Sequence, residues 1–348
     1  MNHPHFFIHV LVRWLEFVAL VVLVGGLVYW NFVASVVRRK VPGFNPPSFD
    51  RWNLTAALML GAAALVDMVF RSLMISGRPL GQLGSVLPTV LLKTHFGRVW
   101  IGLLSLIVLL SGFLLLHRMK KGGSFLERLI PLAASLGICL TLSLAGHAAD
   151  LGNFRLTVLT DWIHLAAISS WVGGLFALRL HFSKVLAPLE EKTRIRSLRT
   201  GIEQFTKVAV TSVVALTVGG LYNTYVHVHS PALLAGTSYG KILVVKWLMV
   251  LPMLGLGGLS RYGILPMLQY LDGTTRKGFL ARWAASVIKA WVPTPGPKNL
   301  EKLFFRLITI EALLGLGVLA CSAWITQLAP PHESTFGAEH DHHEMHEM

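Results

Sequence analysis

Eight long apolar segments alternate with shorter polar stretches along this chain. Each apolar segment reaches the length of about 20 residues that a helix needs to cross a bilayer. Because lipid offers no partner to backbone N–H and C=O groups, these segments are predicted to be helices. Their approximate limits are His9–Val37, Leu54–Ile75, Gly97–His117, Leu126–Gly146, Thr157–His181, Phe205–His227, Tyr239–Tyr262 and Phe304–Gln327. The pattern predicts an all-α, polytopic integral membrane bundle without a convincing internal repeat or a soluble domain.

The composition supports a membrane protein. The 348 residues are 53% hydrophobic and 14% charged, whereas soluble domains carry about 25% charged residues. The net charge of +14 therefore indicates basic loops beside lipid, and we expect no nucleic-acid partner. The sequence has no Walker loop, no GxGxxG after a strand and no HExxH motif. We expect no enzymatic activity, unless the chain is a redox protein.

The charged loops predict the orientation of the bundle. Those after the first, third, fifth and seventh spans, with adjoining helix ends, hold 23 of the 31 Lys and Arg residues. The positive-inside rule places these loops in the cytoplasm and both termini outside. We therefore predict a transmembrane domain over residues 1–328 and an extracytoplasmic, disordered His/Met-rich tail over residues 329–348.

The histidines are distributed unequally between the two predicted sides. Thirteen of the 15 lie in outer segments or in the outer half of the bundle, and only His117 and His181 lie at cytoplasmic helix ends. Neutral imidazole is a common metal ligand in proteins. The asymmetry predicts an outward-facing capacity for binding a transition metal.

The C-terminal tail mixes imidazole and thioether groups. Histidine-rich tracts bind metals; imidazole suits Cu(II), Zn and Ni, while thioether sulfur selects Cu(I). The tail is predicted to capture copper, although a solvated tail without a role or a remnant of an expression tag would also fit. Its candidate ligands are His340, His342, His343, Met345 and His346.

Polar side chains cluster around the loop between the fourth and fifth spans. The sequence there is GHAADLGNFRLTVLTDWIHLAAISSWVGGLFAL, residues 146–178. Helical spacing places Asp161, His164, Ile168 and Trp171 in one stripe. These polar groups predict a metal site at the outer mouth between the two helices; the alternative is an interhelical hydrogen bond from His164 that holds the bundle together. The candidate ligands are His147, Asp150, Asp161, His164 and, beneath them, Cys139.

Two further pairs are candidate ligands. His227 and His229 could chelate one ion if the chain is extended there, but would point about 200° apart on a helix. Met249 and Met253 are one helical turn apart in the seventh span. They would form a soft relay for Cu(I), although methionine in an apolar helix also serves packing.

Two pairs of opposite charges lie within the first and second spans. Arg13 and Glu16 are three residues apart, and Asp67 and Arg71 are four apart. At this spacing each pair can neutralise itself on one helix, which we expect here. The alternative is a proton or cation path through Glu16 and Asp67.

The motifs together resemble a known family. GHAAD followed by TDWIHLAAISSWVGGLFAL is similar to the central signature of the CopD copper-resistance membrane proteins. The order and spacing of further segments extend this resemblance over nearly the whole chain. These segments are Val90–Gly102, Gln204–Asn223, Thr237–Tyr262 and Phe304–Pro331.

The resemblance implies eight helices in a bacterial cytoplasmic membrane and copper uptake from the extracytoplasmic side. It also implies a CopC-type extracytoplasmic copper-binding partner; the chain shows no fused domain of that type, so the tail or a separate protein would capture copper. One alternative is a membrane redox protein, a cupric reductase or quinol-linked, with haem b between His147 and His164 or between His164 and His227. Another is a copper-delivery scaffold without transport.

Overall fold

A computed structural model of the chain describes residues 6–46, 50–117, 125–145, 156–227, 235–273, 286, 288 and 296–328. In this part of the chain the regular structure is helical, without strands. Within these ranges, eight helices are long and apolar enough to cross a membrane. The prediction of an all-α, eight-helix membrane protein is therefore confirmed.

The eight helices, numbered in chain order, include three π-helical turns. These turns cover Tyr29–Ala34, Leu178–Phe182 and Ser260–Ile264. The helices are α1 (Phe6–Lys40), α2 (Asp50–Ser76), α3 (His95–His117), α4 (Phe125–Leu144), α5 (Leu156–Leu186), α6 (Glu191–His227), α7 (Ser238–Leu271) and α8 (Pro297–Ile325).

The structure departs most from the limits expected from hydropathy in two places. α6 begins at Glu191 rather than at Phe205, and a short helix, Leu83–Lys93, lies between α2 and α3 where a loop was expected. The first part of α6, residues 191–204, holds six Glu, Lys and Arg residues, which are favourable in helices. Hydropathy marks only the apolar part of such a helix, so it predicts a loop over the polar extension.

α1 and α5 form the centre of the molecule. α1 packs against α2, α4, α5 and α8, and α5 packs against α1, α4, α6 and α8. They cross where Gly25 meets Gly173: a Cβ atom at Gly25 would overlap the backbone of Gly173, and one at Gly173 would overlap the carbonyl oxygen of Val21. Only glycine at both positions permits this close approach of two membrane helices.

The helices form two four-helix halves with the same packing order. α1 to α4 pack in sequence and α4 closes on α1, while α5 to α8 follow the same order and α8 closes on α5. α1 contains RWLE from Arg13 and VGGL from Val24; α5 contains DWIH from Asp161 and VGGL from Val172, each 148 residues later. The structure thus reveals an internal repeat, contrary to the expectation from the sequence pattern.

Equivalent hydrogen bonds support this repeat. Thr94 before α3 and Thr237 before α7 each accept a backbone N–H bond, from Gly97 and Gly240, at 3.0 Å. The indole of Trp14 in α1 donates to a carbonyl of α8 at 3.1 Å, and the indole of Trp162 in α5 donates to a carbonyl of α4 at 2.9 Å. The first helix of each half is therefore bonded to the last helix of the other.

The charges of the first half neutralise one another. The guanidinium of Arg13 lies 2.5 Å from Glu16 and 4.0 Å from Asp67, and Asp67 accepts a bond from Arg71 at 3.1 Å. Glu16 and Asp67 are buried. The expected pairs are present, and Arg13 additionally joins them across α1 and α2, so these charges stabilise the contact between the two helices.

Candidate metal-binding cavity

A cavity of about 560 Å³ lies mainly within the second half, between α5, α6, α7 and α8, and also reaches Arg13 and Phe17 of α1. α6 contacts α7 at Ser260–Leu271, whereas the earlier part of α7, Ser238–Leu259, makes little contact with α6. The cavity follows this separation to the helix ends near Thr224, Tyr239 and Leu328. We call this the open end of the second half, because α6 and α7 diverge there.

One face of α5 supplies the polar wall of the cavity. Asp161, His164, Ile168 and Trp171, the stripe expected from helical spacing, all line it. Lys246 of α7 also lines the cavity and interacts electrostatically with Asp161 and His164. A carboxylate, an imidazole and an ammonium group therefore share one chamber, which the guanidinium of Arg13 also lines.

His164 has a free coordination position in the described part of the chain. Its ring lies against Gly219 of α6, where a Cβ atom would be 3.9 Å from Nδ1. Nδ1 is buried and has no hydrogen-bond partner among the described residues. Because an unpaired buried nitrogen is unfavourable, this atom is suited to accept a metal ion or a water molecule.

Asp161 and His164 face different neighbours. Asp161 lies beside Ser143 of α4 and interacts electrostatically with Arg13 and Cys139. His164 lies against α6 instead. Cys139 is fully buried and is not part of the cavity wall. The two α5 residues predicted at the mouth between α4 and α5 therefore lie in a chamber formed mainly with α6, α7 and α8.

The two methionines of α7 have different surroundings. Met253 is fully buried and lines the cavity. Met249 packs its sulfur against α8, where a Cβ atom at Gly317 would lie 2.9 Å from it. Of the two predicted relay residues, only Met253 is therefore part of the cavity wall.

The side chains of the remaining predicted ligands lie outside the described part of the chain. His227 ends α6, but its side chain is not described. Within the described ranges, no group of three or more His, Cys, Asp or Glu side chains could hold a metal ion. The predicted haem site needs His147 or His227 as a second axial ligand besides His164. The predicted copper site and the predicted haem site therefore both stay predictions. The other residues concerned are His147, Asp150, His229, His340, His342, His343, Met345 and His346.

Sequence reasoning assigned no site role to two polar groups of the second half. Lys246 lies within the apolar seventh span, and Glu311 within the eighth. Glu311 accepts a hydrogen bond of 2.9 Å from Nε1 of Trp171, and both residues are buried. The available signal was the charge itself, because an ionisable residue inside a membrane span suggests a functional role.

Ion pairs join the helices at the other end of the second half, which we call the closed end. Asp272, which follows α7, lies 3.0 Å from Arg196 and 3.3 Å from Arg199 of α6. Glu301 of α8 lies 3.2 Å from Arg194 of α6. The closed end thus connects α6 with both α7 and α8.

Comparisons with known proteins concern both halves. The family described as copper resistance protein D-like, N-terminal domain, matches residues 1–155, and the family described as copper resistance protein D matches residues 200–325. The copper transport protein CutJ of Bacillus subtilis (strain 168) is 30% identical over 263 residues, which cover 72% of this chain and 47% of that protein. The chain thus spans about half the length of this relative. No solved structure matches the chain.

Proposed function

We propose that this chain, which belongs to the copper resistance protein D family, binds copper ions and carries them across the membrane through the cavity of its second half. The observation that carries the proposal is this cavity, which is lined by Asp161, His164 and Met253 inside the membrane-spanning bundle. It gives a cation a polar chamber between helices that otherwise present apolar side chains.

The donor atoms of the cavity suit copper. The imidazole of His164 is a borderline donor, the carboxylate of Asp161 supplies negative charge, and the thioether of Met253 favours Cu(I). We propose that His164 and Asp161 receive the ion and that Met253 takes it deeper. Lys246 balances the charge of Asp161 while the cavity holds no ion, and an arriving copper ion takes over that role.

We further propose that the open end faces the extracytoplasmic side of a bacterial cytoplasmic membrane. The support is the excess of Lys and Arg in the loops at the opposite end. Copper would then move inward. The outer His147, Asp150, His227 and His229, together with the His/Met-rich tail, would collect the ion, and a CopC-type protein would be its donor. The function is transport, without a catalysed reaction.

Copper uptake into proteoliposomes tests this proposal. We expect the purified chain to raise copper accumulation above that of protein-free vesicles. His164→Ala should lower copper affinity by about tenfold or more, because even groups that only orient metal ligands contribute 10- to 100-fold. His95→Ala is the matched control, since His95 is exposed at the start of α3 in the first half.

Two results would contradict the proposal. Equal accumulation with and without protein would exclude transport, and stoichiometric copper binding without flux would favour the delivery scaffold. An absorption spectrum of the same preparation tests the redox alternative, because bound haem b would give a Soret band.

A further inference from the structure

Glu311 is a buried carboxyl group directly behind the wall of the cavity. It is 2% exposed and is hydrogen-bonded to the indole of Trp171, which itself lines the cavity. On the α7 side Gly257 faces the carboxyl group, and a Cβ atom there would lie 3.6 Å from Oε1. One indole ring therefore stands between this carboxyl group and the copper path proposed above.

No basic side chain among the described residues pairs with Glu311. Of the charged groups on the helices packed against α8, Arg13 and Glu16 of α1 pair with each other. Asp161 and His164 of α5 interact with Lys246 of α7. The ammonium of Lys207 in α6 donates to Gln204, and the arginines at the start of α6 pair with Asp272 and Glu301.

An ionised carboxylate without a cation is strongly unfavourable inside a membrane protein. Glu311 therefore carries a proton, unless another cation takes its place. Its hydrogen bond from Trp171 fits both states, because a carboxyl group and a carboxylate each present an acceptor oxygen to the indole N–H. The position is suited to exchange one cation for another.

The seam between α7 and α8 places soft donors before this carboxyl group. Met249, Met253 and Gly257 follow at intervals of four residues and so share one face of α7. Met249 contacts α8 at Gly317, and Gly257 faces Glu311. Met253 lies between these two contacts, one helical turn from the level of Glu311. Two thioethers and a carboxyl group thus succeed one another from the open end towards the closed end.

The internal repeat shows that the fold itself does not require this pair. The RLI sequence from Arg128 in α4 corresponds to the RLI sequence from Arg306 in α8, so Glu311 corresponds to Ala133. Through the VGGL motifs, Trp171 of α5 corresponds to Leu23 of α1. The first half packs in the same order with apolar residues at both positions, and the Trp–Glu pair is confined to the half that contains the cavity.

We propose that Glu311 is an inner copper site, at which a copper ion replaces the proton of the carboxyl group. The ion moves from the thioether of Met253 to the carboxyl group; the O–H bond of Glu311 breaks, an oxygen–copper contact forms, and one proton leaves to solvent. When copper departs, a proton returns. Copper keeps its oxidation state, so no reductant or oxidant is needed. This inference rests on the copper path of the proposed function.

Infrared difference spectroscopy on the purified full-length protein tests the exchange. Addition of Cu(I) should remove the C=O stretch of one protonated carboxyl group in the wild type. The loss of this band should disappear in Glu311→Gln. The variant keeps the side-chain volume and an acceptor for Trp171. If Glu311 had a purely structural role, Glu311→Gln would therefore still show the loss of the band. Glu191→Gln, which changes an exposed carboxylate 3.9 Å from Arg194, should lose the band in the same way as the wild type.

A second variant identifies the carboxyl group independently of Glu311→Gln. In Trp171→Phe the lost band should lie at a shifted frequency, because the indole no longer donates to the carboxyl group. The inner site is overturned if the wild type binds Cu(I) without losing a protonated carboxyl signal, if the loss persists in Glu311→Gln, or if Trp171→Phe leaves the frequency unchanged.

Copper flux into proteoliposomes separates this inference from the proposed function. Loss of the carboxyl signal without any flux through the wild type would contradict transport while supporting the inner site. Equal flux through Glu311→Gln and the wild type would contradict the inner site while supporting transport. We expect the variant to lose at least about tenfold in flux while His164 still binds copper.

Discussion

At the scale of single residues, equivalent positions of the two halves carry different chemistry. Arg13 and Glu16 of α1 correspond to Asp161 and His164 of α5. Arg13 and Glu16 form an ion pair with each other, and Arg13 also lies 4.0 Å from Asp67. His164 instead faces Gly219, and its Nδ1 has no hydrogen-bond partner among the described residues. The same backbone position thus supports a helix contact in one half and a ligand in the other.

Lys246 provides a test of the electrostatics of the cavity. Lys246→Met should tighten copper binding by about tenfold, because it removes a positive charge close to the site. The same change should lower the melting temperature, since Asp161 loses a charge that compensates its own. Copper titration and thermal unfolding of the detergent-solubilised protein measure both effects.

The control is Lys241→Met, which changes an exposed lysine one turn after the start of α7. It should leave both the copper affinity and the melting temperature unchanged. Weaker copper binding in Lys246→Met would show that the ammonium group assists the ion, contrary to the arrangement that we propose.

At the scale of helices, close contact through glycine determines how the halves meet. Gly25 and Gly173 bring α1 against α5, and the tryptophan bonds of these helices cross to α8 and α4. Because lipid is as apolar as the helix surfaces, such backbone contacts and interhelical hydrogen bonds provide much of the association energy.

Gly173→Ala tests this crossing. The added methyl group would overlap the backbone of α1, so the free energy of unfolding should fall by about 1–3 kcal/mol. Gly112→Ala in α3, where a Cβ atom meets nothing within 4 Å, should leave stability unchanged or raise it by up to about 1 kcal/mol. Equal melting temperatures for the two variants in detergent would contradict the role of the crossing.

The number of helices followed from the sequence, but their packing did not. Runs of apolar residues are sufficient for locating spans, because the bilayer imposes helix and length on them. Which face of α5 meets α6 rather than α4 depends on small residues such as Gly219, whose contribution is space rather than polarity. The sequence pattern does not reveal the repeat, because only short motifs such as VGGL recur identically, while RWLE and DWIH share the tryptophan but differ in charge.

At the scale of the molecule, ion pairs among Arg13, Glu16, Asp67 and Arg71 hold α1 and α2 of the first half together. The second half opens at one end. α6 and α7 diverge around Asp161, His164 and Lys246, while ion pairs to Asp272 and Glu301 connect α6 with α7 and α8 at the other end. Transport through the cavity would require these ion pairs to separate when copper is released.

Asp272→Asn tests this requirement. The change removes the carboxylate that pairs with Arg196 and Arg199. It should therefore favour a state in which α6 and α7 separate at the closed end. Copper added from the open side would then bind to a smaller population of competent molecules, so its apparent affinity should fall by about threefold or more. Competition titrations in proteoliposomes measure this value.

Glu191→Gln is the matched change for this experiment, because Glu191 is 60% exposed and lies 3.9 Å from Arg194. Such an exposed pair contributes little, and the apparent copper affinity should remain that of the wild type. An unchanged affinity in Asp272→Asn as well would argue against separation of the closed end during transport.

The most direct test of the central claim is an anomalous difference map, recorded at the copper absorption edge, of copper-loaded crystals of the protein. We predict a copper peak inside the cavity of the second half, in contact with Nδ1 of His164 or the sulfur of Met253, and none at the charge cluster of Arg13 and Asp67. Copper peaks confined to positions outside this cavity, in a fully loaded protein, would contradict the account.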